Sequence, residues 1–415
     1  MNNYKYWFYL EPFTFLFHEK EKFVIYNTLN SVYIDCSIYD EQVHRVLNNL
    51  FNSEANYCVG LNQEQFVSQS LQTFIDKIRE SFSGDIIENN SGVAPYIFKP
   101  ILRIFHHPES AKTKEYNLLG LNSLLYLHEV IFYLGNQAED LCIEHENCYK
   151  QFLHPIKTAN QILTIEKYKE ILNQLSVCQL DKISIIPGII KDNALLSSLL
   201  QLISEHNFKV ELILPYKIYD LDDVDSVIGH KISARILIHL PTNKDELESQ
   251  MNLFLGYNIT WVFIVSEDRD IDYIQSFNVN EGVNVEYLPW YNGSNDSFIN
   301  KYVSSELQDI IEFPINKQKI FRRQILNENF FGKLTIFPTG EVYSNANFPS
   351  IGDITNLKLT EIVYNEVSKF SMPWFMTRNN CSCESCINKY LCPSISNYEV
   401  VMNEYNFCYL NKTKQ

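Results

Sequence analysis

Glycine is scarce in this chain, 13 in 415 residues, and none stand as a P-loop or dinucleotide-binding fingerprint. Sites that cradle phosphate through close backbone approach are excluded as readings. Positive charge is short too: 34 Lys and Arg face 50 Asp and Glu, a formal net charge of −16. Nucleic-acid binding needs clustered cations that release counterions from phosphate. The one basic run, residues 317–323, reads as a solvated helix face. No apolar run approaches the roughly 20 residues needed to span a bilayer. Residues 1–13 lack the charged start, continuous apolar stretch and small-residue cleavage site of a secretory signal. The expectation is a cytoplasmic protein that binds neither membrane nor nucleic acid. In that compartment ten cysteines point to a metal site before a disulfide framework.

What is present suits a well-packed body: 46% hydrophobic and 20% charged residues, with 26 Tyr and 27 Phe. A chain this long calls for two or three domains. Most aromatics belong in the core, and a surplus also suits surfaces that grip extended peptides.

The chain changes texture twice. In the first ninety residues, short aromatic and β-branched runs at 13–17, 23–27 and 31–36 suggest a small antiparallel meander. Helical patterns follow at 41–51, with Val43, Val46, Leu47 and Leu50 on one face, and at 62–82 behind a polar cap. From about residue 95 to 303, apolar β-branched runs at 130–134, 183–186, 210–214, 234–240, 260–265 and 283–288 alternate with helical stretches such as 164–175 and 193–206. The later runs begin at 183, 210, 234, 260 and 283, room for a strand, a helix and two loops. That spacing predicts a parallel α/β unit, an open sheet or a partial barrel, covered on both faces. Past residue 317 the alternation stops. A hairpin is predicted at 333–337 and 341–344 around Pro338-Thr339-Gly340, then a helix near 360–370 and a cysteine-rich tail.

Five of the ten cysteines lie between 381 and 408, in the order Cys383-x2-Cys386-x5-Cys392-Pro393, then fifteen residues to Cys408. Two thiolates two residues apart can hold one metal from a single turn, and two more complete four-coordination. The polar flanks Arg378-Asn379-Asn380 and Glu384-Ser385 argue against thiols buried merely as small hydrophobes. Four thiolates satisfy zinc as well as iron–sulfur, and spacing alone does not separate them. Cys381 reads as a bystander.

The Cys-x2-Cys-x5-Cys core with its distal cysteine follows the hairpin Phe337-Pro-Thr-Gly340 and Ile351-Gly-Asp-Ile354 leading into Leu359-Thr-Glu-Ile362. This constellation, from about Asn327 to Tyr409, resembles the SPASM domain, the C-terminal extension of peptide-modifying radical SAM enzymes. The resemblance implies that Cys383, Cys386, Cys392 and Cys408 hold one auxiliary four-iron four-sulfur cluster. The family's second auxiliary cluster would need cysteines where this chain has Asn345 and Ser396, and no cysteine stands between Phe321 and Gly340, so one cluster is expected, zinc being the alternative.

A radical SAM body also needs Cys-x3-Cys-x2-Cys after its first strand, so that three thiolates leave one iron open for S-adenosylmethionine. The corresponding loop offers only Cys142-Ile-Glu-His-Glu-Asn-Cys148, in which His145 could make a Cys-x2-His-x2-Cys set. The second strand, which should end in a Gly-Gly-Glu-Pro-like turn, ends in Pro187-Gly188-Ile189-Ile190 and lacks the acid. The whole chain, with its opening Tyr6-Trp-Phe-Tyr-Leu-Glu-Pro12, is similar to pseudo-radical-SAM proteins that accompany Gly-Gly leader precursor peptides in Bacteroidales-type maturation clusters. The resemblance implies three parts: a winged-helix-like α+β module that recognises a leader peptide at 1–90, a degenerate radical-SAM-like partial (β/α) barrel at 91–315, and a SPASM-like domain at 316–415. It implies no S-adenosylmethionine binding and a non-catalytic role, with a precursor peptide and a maturase as partners. An active radical SAM enzyme with non-standard ligands, or a zinc-stapled peptide-binding protein, are the other readings.

Overall fold

The computed structural model describes residues 4–53, 56–100, 120–135, 147–156, 163–187, 194–216, 232–369 and 373–408. Its centre is a nine-stranded sheet. Six strands run parallel in sequence order: β7 (Glu129–Tyr133), β8 (Lys182–Ile186), β9 (Val210–Pro215), β10 (Ile232–His239), β11 (Ile259–Val265) and β12 (Asn284–Pro289). These are the six runs expected from the sequence. β13 (Lys333–Ile336) adds in parallel to β7, and β14 (Glu341–Tyr343) and β15 (Gly352–Asp353) continue antiparallel beyond it. The hairpin turn falls at the expected place, with Gly340 at φ 99, a backbone that side-chain-bearing residues avoid.

Side chains alternate strictly between two cores, as a strand's period of two demands. On one face Val130, Phe132, Ile183, Ile185, Leu212, Ile236, Trp261 and Phe263 meet the helices Ile165–Leu175, Ala194–Glu205, Lys244–Leu253 and Asp268–Gln275 through Ile171, Leu199, Met251 and Ile274. On the other, Ile131, Tyr133, Ile186, Ile213, Leu237, Val262 and Ile264 form a separate cluster, closed by Phe152, Leu153, Ile156 and Trp290. Apolar burial on both faces explains why the strands read as near-continuous apolar runs.

The N-terminal part holds two three-stranded antiparallel sheets. The expected meander is β2 (Thr14–Glu19), β3 (Lys22–Asn27) and β4 (Tyr33–Asp35). The second sheet was not foreseen: β1 (Tyr6–Leu10) pairs with both β5 (Cys58–Leu61) and β6 (Gly84–Glu88). Gly84 permits that closeness, since a Cβ there would stand 2.2 Å from the Tyr9 carbonyl oxygen. The single helix expected over 62–82 is two, Gln63–Phe66 and Gln69–Glu80. Ser68 divides them by accepting a hydrogen bond from Leu71 N as an N-cap.

Candidate metal centre

The cysteine-rich loop hangs from Asn327, which is fully buried. Its amide donates to the carbonyls of Met376 (3.1 Å) and Ile395 (3.0 Å), while its oxygen accepts from Asn329 N and Phe330 N. Both ends of the loop are thereby tied to the start of the C-terminal hairpin. A buried ion pair holds the middle. Arg378 donates to both oxygens of Glu399 (3.0 and 3.3 Å), to Pro393 O (2.7 Å), to Tyr405 O (3.2 Å) and towards Cys383 Sγ (3.6 Å). Glu399 is also the third residue of the helix Asn397–Met402 and closes a capping box with Ser396.

Cys383, Cys392 and Cys408 are buried and Cys386 is half-buried. The four thiols influence one another electrostatically. Burial pushes Cys392 up to about 12, and Cys386, Cys408 and Cys383 each add to the rise while Arg378 opposes it. Burial also raises Cys386, with Cys383 and Cys408 adding to it. Cys381 Sγ donates towards Arg378 O (3.6 Å) and Tyr405 O (3.8 Å), and its interaction with Cys383 lowers the Cys381 thiol to about 6 and raises Cys383. The Arg378 guanidinium opposes the rise at Cys383, Cys386 and Cys392, favouring the ionised thiols that ligate a metal. Among the described residues no three Cys, His, Asp or Glu side chains stand close enough to share one ion. A zinc ion, with bonds of about 2.3 Å, would have to draw its sulfurs into contact. A four-iron four-sulfur cluster takes four thiolates at the corners of a cube rather than at one point, and four Cys is the donor set this loop carries.

The N-terminal module sits against this loop. Phe15, Phe17, Val24 and Tyr26 of β2 and β3 share one core with Ile310, Ile315, Ile320, Leu391 and Cys392. Tyr33 donates to Asn388 Oδ1 (3.2 Å), and Ile315 N donates to Tyr26 Oη (3.0 Å). The basic run forms the helix Lys317–Arg323, and it is more than a solvated face. Ile320 is buried, Phe321 meets the Phe15 ring edge-on, and Arg323 donates to Glu328 and Leu391 O.

Asn345 and the Ser396 turn, which stand where a second cluster would need cysteines, come together. Asn345 donates to Asn397 Oδ1 (2.7 Å), Asn347 donates to Asn345 Oδ1 (3.0 Å) and Lys150 O (2.6 Å), and Asn397 donates to Gln151 O (3.2 Å). An amide network therefore joins the hairpin, the tail helix and the segment after Cys148. It borders a cavity of about 310 Å³ whose floor carries alternating charges, Lys333, Glu129, Lys182 and Glu211.

Cys142, His145 and Gly188 lie outside the described residues. Cys148 is buried in a short 3-10 turn. The segment that follows lies across one face of the sheet, Phe152, Leu153 and Ile156 packing on Ile131, Ile213, Leu237 and Val262. His154 donates through Nδ1 to Pro155 O (2.8 Å), so its Nε2 accepts from His239 Nε2 at 2.9 Å. Arg378 was noted from the sequence only as a polar flank, and Asn327, Glu399 and this histidine pair carried no assigned role. Only the Ser396-x2-Glu399 capping pattern could have signalled one of them.

No family model and no curated protein matches the chain. Among solved structures, it is similar to Streptococcus suis SuiB bound to S-adenosylmethionine, at 12% identity over 98% of this chain and 97% of that one, with a TM-score of 0.46. It is similar to Streptococcus suis SuiB bound to the precursor peptide SuiA, at 12% identity and the same coverage, with a TM-score of 0.47. It is also similar to native anSMEcpe with bound AdoMet, at 10% identity over 66% of this chain and 96% of that one, with a TM-score of 0.39. With TM-scores below 0.5, these likenesses assign no function to the chain.

Proposed function

We propose that this protein is a degenerate radical-SAM-like chain that holds one four-iron four-sulfur cluster on Cys383, Cys386, Cys392 and Cys408. It binds a ribosomally made precursor peptide of the Gly-Gly leader kind and presents it to a partner maturase in the cytoplasm, without carrying out radical chemistry itself. The observation that carries the reading is one loop holding four thiols that influence one another electrostatically beside a buried guanidinium, at the junction with the N-terminal module. When bound, the cluster supplies a rigid four-thiolate staple and an electron-accepting centre. The residues around it hold and orient: Asn327 ties the loop ends, and Arg378 faces the thiolates with positive charge.

The non-catalytic half is supported by the sheet face opposite the helices, which is filled by apolar side chains: Tyr133 and Ile186 belong to one cluster with Phe152 and Leu153. The peptide half is supported by the N-terminal module, read as winged-helix-like, whose outer strands suit addition of an extended leader. Anaerobic purification tests the first half. Four iron and four acid-labile sulfide per chain are expected, and Cys383→Ala or Cys392→Ala should lose most of both. Zinc without iron or sulfide would replace the cluster with a zinc staple. Reductive incubation with S-adenosylmethionine should yield no 5′-deoxyadenosine, and its formation by this chain would reject the non-catalytic role.

A further inference from the structure

The N-terminal module carries an open cleft of about 690 Å³ on the side bounded by Glu11, Phe13 and the end of the helix Gln69–Glu80. Two large apolar side chains line it while facing solvent: Leu29, 71% exposed, and Phe82, 72% exposed. Soluble surfaces scatter single apolar residues freely, but a pair lining one cleft marks a place where something docks.

Both are presented by the same buried asparagine. The Asn27 amide donates to Ser81 O (3.0 Å) and Phe82 O (3.2 Å), while its oxygen accepts from Leu29 N (2.8 Å). Asn30 donates to Ser81 O (2.7 Å), and the buried Ser81 and Ser83 hydroxyls are 2.8 Å apart. This framework holds Phe82 at φ 52, a left-handed backbone that bulky residues avoid. Glycine would sit there without strain, so a phenylalanine facing water has no structural reason in the fold.

The rim is acidic. Glu11, Asp76, Glu80 and Asp85 line the cleft against a single cation, Arg79, whose guanidinium is already paired with Asp85 at 2.8 Å. A partner seated over Leu29 and Phe82 brings its own flanking groups against three carboxylates left without that cation, so positive charge is favoured and negative charge repelled.

We propose that this cleft is a docking site for a basic, amphipathic peptide segment, its apolar side chains over Leu29 and Phe82 and its Lys or Arg groups against Glu11, Asp76 and Glu80. The proposal rests on the proposed function only in taking a peptide as partner; it needs no cluster.

Fluorescence anisotropy with three labelled twelve-residue peptides tests it: alternating Lys and Leu, alternating Glu and Leu, and alternating Lys and Ser. The Lys/Leu peptide should bind at least tenfold more tightly than either other, and more weakly as salt rises. Phe82→Gly should weaken binding at least tenfold while raising the thermal midpoint, because glycine relaxes the left-handed position. A residue kept for stability would lower it. Asp76→Lys with Glu80→Lys should also abolish the preference for the basic peptide. Equal binding of the three peptides, or wild-type affinity in both variants, overturns the proposal. So does concentration-dependent dimerisation abolished by Phe82→Gly, which would assign the cleft to a second copy. Iron measured on the same samples reads the thiol site separately: iron-free protein that still binds Lys/Leu peptide through the cleft leaves this proposal standing and removes the cluster.

Discussion

Arg378 is the residue on which the thiol loop turns. Burial works against its charge, yet Glu399, with Cys392 and Cys383 nearby, holds it firmly protonated. Removing one member of such a buried pair leaves an uncompensated charge, which typically costs about 3–5 kcal/mol. Glu399→Ala should lower unfolding stability by about that much, and it removes the capping box of the tail helix as well. Chemical denaturation of the metal-free protein measures it, so that loss of metal does not enter; a change within about 0.5 kcal/mol, the range of ordinary surface substitutions, would show the pair to be incidental. The sequence pointed at this neighbourhood through its cysteines but not at the pair. Arg378 and Glu399 stand 21 positions apart, and no periodicity relates a 3-10 turn to a helix across an irregular loop. The interaction of Cys381 with Cys383 was likewise not legible, since spacing says nothing about which thiol will face another.

At the scale of the element, β7 shows how a central strand ends in charge without disorder. Its first residue, Glu129, accepts from the Ser184 hydroxyl (3.1 Å) and lies 3.3 Å from Lys333 and 3.5 Å from Lys182 on the strands either side. Burial would raise this carboxyl, but Lys333 and Lys182 outweigh it and hold it below the usual range. A depressed carboxyl contributes stability that is fully present above the unfolded value, about 4.3, and is lost as pH falls through the folded one. Glu129→Gln should therefore cost about 1 kcal/mol near neutrality, the two lysines being partly solvent-screened. The wild-type and variant curves should converge as pH drops below the usual carboxylate range. Urea midpoints across pH report it, and a constant gap in acid would count against the carboxylate. Five of the six strands were legible because burial on both faces makes each a dense apolar run; the half-exposed β12 was read from its spacing after them. β1, β5 and β6 were not, because they are short, with only one or two buried residues each and pairing between partners about fifty and eighty residues away.

Across the whole molecule, the N-terminal module and the cysteine loop share a core, so neither is independent of the other. Phe15 is fully buried there, stacked near Phe17 and edge-on to Phe321. Phe15→Ala should cost about 3–5 kcal/mol, as such truncations do. It should also quicken proteolysis of the tail around the thiols, read by mass spectrometry of the fragments; accelerated cleavage confined to residues 1–90 would show the docking to be passive. By itself the sequence determined the parallel α/β body, the meander, the hairpin and the four candidate ligands, because alternation, turn chemistry and ligand spacing are local and survive in one dimension. Only the tertiary structure decided that the meander lies against Cys392, that Asn345 and Asn397 meet, and that Leu29 and Phe82 share one cleft. These contacts join residues fifty to several hundred positions apart, and their partners are chosen by burial and hydrogen-bond completion, which leave no periodic mark along the chain.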